Sequence, residues 1–143
     1  MACERDVHQA FGDWHYMLAE MESMPESKWR QLVKGEKVDA PELEKATQLL
    51  HRAAGGFRAG AQHASERLKA LSSNSRFERG YVELEAKGYE ELSKKMVEMA
   101  KMLEKRQMPS LEYVHAIENM LTEQHRAIDL QTAAIGFLRS VSV

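Results

Sequence analysis

Eight residues spaced three and four apart, Val114, Ile117, Leu121, Gln124, Ile128, Gln131, Ile135 and Leu138, run down one line of the segment from Leu111 to Leu138. A second row, Tyr113, Met120, Ala127, Ala134 and Val141, lies beside it, flanked by Leu130 and Phe137. Residues with these spacings share a side only on a helix. The two rows cover about half the circumference, wider than the apolar stripe of an ordinary surface helix. The remaining side carries His115, Glu118, Thr122, His125 and Asp129. A face this broad calls for neighbours on two or three sides. The segment is therefore expected to be the core helix of an all-α bundle.

The rest of the chain repeats the pattern. Val7, Phe11, Trp14, Leu18 and Met21 make one face of a first helix from about Cys3 to Glu22, widened by Ala10, Met17 and Met24. Ser23, Pro25 and Glu26 read as a new start, with Ser23 as cap. The short helix that follows carries Trp29, Leu32 and Val33, ends near Lys34 and stops at Gly35. Asp39 and Pro41 repeat the start signal. A long helix then places Leu43, Ala46, Leu50, Ala53, Phe57, Ala64 and Leu71 on one side. Gly55-Gly56 leaves open whether it is one helix or two. Gly56, Gly60 and Ala64 fall one turn apart, a row that lets a neighbouring helix approach closely. Ser75 with Glu78 predicts a further cap. The fourth helix, about Arg76 to Arg106, has the seam Val82, Glu85, Tyr89, Leu92, Met96, Met99 and Leu103, with Glu–Lys pairs on its solvent side. Pro109 opens the last helix. The architecture expected is an antiparallel bundle of three long helices plus a shorter N-terminal helix pair, forming one domain over residues 1–143. The long seams are of the coiled-coil kind. No segment alternates with a period of two for long enough to be a strand.

Composition narrows the function. A net charge of −2 without blocks of one sign argues against nucleic acid as partner. The single cysteine, Cys3, excludes an internal disulfide. With no apolar run of membrane-spanning length and no leader-like start, a cytoplasmic protein is expected.

Candidate chemistry is sparse. Glu112-x-x-His115 matches half of a di-iron bundle motif, but that site needs two such motifs and two more glutamates. His125–Asp129 and Glu4–His8 are four apart, and His63–Glu66 three apart. None supplies three ligands alone. No Cys-x-x-Cys-His haem attachment, nucleophile elbow or phosphate loop is present. No catalytic residue, metal ligand set or cofactor is assigned.

Two features point instead to contacts. Gln124, Gln131 and Glu85 occupy seam positions, where a buried polar group left unpaired costs roughly 1–3 kcal/mol. Each must pair, meet water or face an opening, and in bundles such residues also fix register. The chain also has nine methionines. Met17 and Met21, with Met96, Met99 and Met102, cluster at two helix ends, and methionine is over-used on adaptable binding surfaces. A Met-lined groove for a partner helix, with Trp29 on a short lid, is the expected site. The expected function is thus non-enzymatic: an adaptor, small chaperone or regulatory subunit contacting another protein or itself, as a homodimer. The alternative is a four-helix bundle holding a metal or small ligand, possibly an oxidoreductase, through His8, His15, Glu112 and His115, or His125 with Asp129.

Overall fold

The computed structural model describes residues 2–141, with side chains from Glu4 onward. The Cys3 thiol therefore lies outside the described residues. Five helices follow one another: α1 (Ala2–Ser23), α2 (Glu26–Val33), α3 (Pro41–Ala70), α4 (Arg76–Glu104) and α5 (Leu111–Val141). No strand occurs among the described residues.

Helix α3 is continuous through Gly55-Gly56. Its small residues are contact points. A Cβ on Gly56 would lie 2.5 Å from the carbonyl oxygen of Asp6 and 2.9 Å from the Cβ of Ala10. One on Gly60 would lie 2.8 Å from Val7 and 3.1 Å from the Tyr89 ring. Close packing of α1 and α4 against α3 is what those glycines permit. The pairs climb one helix as they descend the other. Val7, Asp13 and Glu20 of α1 meet Gly60, Arg52 and Lys45 of α3. His51, Ala54 and Arg67 of α3 meet Glu104, Ser93 and Glu85 of α4. Glu78, Glu85 and Glu98 of α4 meet Arg139, Gln124 and Tyr113 of α5.

The seam expected for α4 is buried along its whole length. It faces Leu50 and Phe57 of α3, Trp14 and Met17 of α1, and Ile117 and Leu121 of α5 in one shared core. Helix α2 adds Trp29 and Leu32 at the end of the bundle, and Lys28 ties it to the start of α3 through Glu42 at 2.8 Å. Helices α1 and α4 both pack on α3, while α2 covers one end of the bundle.

Helix α5 is not the core helix its apolar width suggested. It packs chiefly on α4. Its first row keeps the expected register, with Ile117, Leu121, Gln124 and Gln131 buried. Its second row is only partly covered: Tyr113, Met120, Ala127 and Ala134 are half-buried, while Val141 and the flanking Leu130 and Phe137 remain 62%, 59% and 66% exposed. The reason lies in α1, which occupies the other side of α3. Trp14 and Met17 already fill the space that a central α5 would have needed.

Helix ends also differ from expectation. Ser23 donates to the carbonyl of Glu20 instead of capping α2. The residues before α3 and α4 make no side-chain cap bond. The side-chain cap belongs to α5, where Ser110 Oγ accepts from the Tyr113 amide at 3.0 Å. Gly35 does stop α2, in the left-handed conformation with φ of 81°. Arg106 ends α4 the same way, at φ of 59°, a conformation that glycine adopts at less cost.

Candidate functional site

The polar side of α5 faces α1 but does not close on it. Between them lies a cleft of about 600 Å³, entered past Glu4, His8, His125 and Asp129. Its walls are apolar: Val7 and Phe11 from α1, Tyr89 from α4 and Ile128 from α5. Phe11 is positioned by its neighbours. It meets Phe57 edge-on at 5.3 Å, and His125 edge-on at 5.7 Å, while Phe57 stacks on Tyr89 at 6.1 Å. Offset and edge-on contacts of this kind favour one ring orientation over others.

The floor is built from the polar seam residues. Glu85, only 8% exposed, takes a hydrogen bond from Arg67 at 2.9 Å and faces His63 and Gln131. Burial pushes its carboxyl above the ordinary carboxylate range, opposed by the positive field of Arg67 and His63 and by hydrogen bonds from Arg67 and Gln131. Gln124 does not face the cleft. Its Nε2 donates to the Glu85 carbonyl at 2.9 Å, and the side chain fits because Gly88 opposite it has no Cβ to collide with its amide. Of the three polar seam residues, two thus face an opening and one pins α5 to α4.

A second hollow, about 410 Å³, continues along the same gap and shares Phe11, His125 and Asp129 with the first. Trp14, His15, Glu118, Leu121, Thr122 and Arg126 complete it. The Trp14 indole nitrogen is fully buried and has no acceptor among the described residues. An unpaired buried donor of this kind costs roughly 1–3 kcal/mol.

The cleft gathers several residues proposed for the metal alternative without making a ligand set of them. His8 lines the upper hollow, His15 the lower, and His125 with Asp129 both. Nδ1 of His125 lies 3.4 Å from Asp129 Oδ2, on an exposed surface. Glu112 and His115 are exposed and line neither hollow. Among the described residues no three His, Cys, Asp or Glu side chains converge to hold a metal ion.

The residues expected to line a partner groove lie in or beside the core. Met17, Met96, Met99 and Trp29 are buried, and Met21 and Met102 are half-buried. The four buried side chains offer no surface to a partner in this conformation.

Two arrangements escaped the sequence. Asp13, 2% exposed, holds Arg52 through two hydrogen bonds of 2.9 and 2.5 Å. The signal was present, since Asp13 interrupts the apolar row Ala10–Met17 at spacings of three and four. The other is an outer apolar flank. On α4, Phe77 and Leu84 continue the row of Gly88 and Lys95, which touches α5 at Gln124 and at the Tyr113 ring. Phe77 and Leu84 are 72% and 63% exposed. Arg139 reaches Glu78, so they lie at the same end of the bundle as the exposed Leu130, Phe137 and Val141 of α5. No helix is long and apolar enough to cross a membrane among the described residues. Comparison with protein families, curated proteins and solved structures finds no match to this chain.

Proposed function

We propose that this chain is a non-enzymatic helical-bundle protein that works through protein–protein contact, and that its docking face is the outer flank of α4 and α5. The supporting observation is the set of large exposed apolar side chains at one end of these two helices: Phe77, Leu84, Leu130, Phe137 and Val141. A single surface apolar residue needs no explanation, but a concentration of large ones on neighbouring helices supports an interaction surface. The occupant proposed is a second copy, because one flank can bury itself against its own twin across a two-fold axis. The sites expected from methionine clustering are not needed for this.

Sedimentation equilibrium on the whole chain tests the proposal. A dimer should form in the micromolar range, roughly the regime of a small apolar interface. Leu130→Glu with Phe137→Glu should return it to monomer without loss of helicity. A wild-type chain that stays monomeric at about 100 µM and binds no hydrophobic dye removes the reading.

A second reading, a bundle that holds a small ligand, is favoured by one observation. Buried Glu85 and Gln131 sit at the floor of an opening rather than in a sealed core.

A further inference from the structure

We infer that the cleft between α1 and α5 is a binding site for a small cationic amphiphile: a protonated amine on an aromatic or apolar body. This does not rest on the α4–α5 docking face, which lies on a different flank of α5.

The shape suits a small molecule. A hollow of about 600 Å³ with an adjoining one of about 410 Å³ falls in the size range of ligand pockets. The apolar body has walls to lie against in Val7, Phe11, Tyr89 and Ile128. Charge selects the sign of the head group. Across the two hollows four carboxylates, Glu4, Glu85, Glu118 and Asp129, stand against two guanidiniums, Arg67 and Arg126, and Arg67 is bonded to Glu85 at 2.9 Å. An anion entering the upper hollow meets an excess of negative charge, whereas an ammonium meets carboxylates that favour it. His8, His63 and His125 are well placed to add hydrogen bonds, because each imidazole can donate or accept.

The test uses the whole chain and a matched pair of probes, 4-methoxyphenethylamine and 3-(4-methoxyphenyl)propanoate, at about pH 8, where free imidazole is neutral. The two share ring and ether and differ in the charge of the head group. Binding is read by nuclear magnetic resonance of the Trp14 indole N–H, told from that of Trp29 by a Trp29→Phe variant, and of the His8, His63 and His125 imidazoles. The amine should shift these signals together and the acid should not. Asp129→Asn, at an exposed position that will not unfold the bundle, should weaken the amine by about five-fold or more, while Glu91→Gln on the far side of α4 should leave it unchanged. Equal binding of the acid overturns the inference. So does an Asp129→Asn variant that binds as the wild type does, or an amine that moves no cleft signal up to about 10 mM.

Discussion

The contact of α1 with α3 and that of α5 with α4 are both made by amphipathic helices, yet they differ in kind. The first is built on absent side chains. Gly56 and Gly60 let the α1 backbone come against α3, and Ala10, Trp14 and Met17 are then fully enclosed. The second has a single notch, Gly88, that admits Gln124, and is otherwise fastened at its edges by Tyr113–Glu98 and Arg139–Glu78. Helix α5 has the wider apolar face of the two and buries less of it. Width of an apolar face measures how much a helix can bury, whereas small residues on the partner decide how close it comes. The uncovered part of α5 is the flank proposed for docking, and its polar side lines the cleft.

The sharpest way to break this comparison is to truncate one large ring on each side of it. Phe57→Ala, in the α1–α3–α4 contact, should cost about 3–5 kcal/mol, and Phe137→Ala on α5 no more than about 0.5 kcal/mol. Urea unfolding of both variants measures the difference. Similar losses would mean that α5 is as deeply packed as α1.

The neighbouring glycines sharpen it further. Gly56→Ala places a methyl against the Asp6 carbonyl, a backbone atom that cannot swing aside. It should destabilise by about 1–3 kcal/mol, with α1 displaced. Gly55→Ala meets open space and should stabilise by up to about 1 kcal/mol through helix propensity alone. Thermal unfolding distinguishes the two, and equal effects would show that α1 is not seated on Gly56.

A small effect is expected at Glu85, on the cleft floor between the two regions. Its carboxyl titrates above the ordinary value of 4.5 because burial outweighs the help of Arg67 and His63. A raised carboxylate favours the fold while it is protonated, and that contribution is lost as pH rises through the folded value. Glu85→Gln should therefore be more stable than wild type at neutral pH, by no more than about 1 kcal/mol. The gain should vanish as pH falls below 4.5. A Glu85→Gln variant that loses stability at neutral pH instead would mean that the ion pair with Arg67 outweighs the burial.

Much of the fold was legible because helical periodicity and helix breakers act locally. The five helices, the α4 seam, the stop at Gly35 and the close approach at Gly56 and Gly60 follow from spacing and residue type. The site was less legible. His8, His63, His125 and Glu85 come from four different helices, and their meeting depends on rotation and offset of each helix, to which spacing within one helix is blind. Spacing is equally blind to the place of the methionines, since a residue that fills a core and one that lines a groove have the same periodicity.

By itself, then, the sequence determined which segments are helices and which of their residues must leave water, because hydrogen bonding within a helix and the aversion of apolar groups to water are properties of the segment. Only the tertiary structure decided that α1 rather than α5 takes the second side of α3. It also decided that Asp13 is buried on Arg52, and that two of the three polar seam residues face an opening. Those outcomes are set by competition between helices for one surface, and the winner is the helix that meets glycine where it needs to come close.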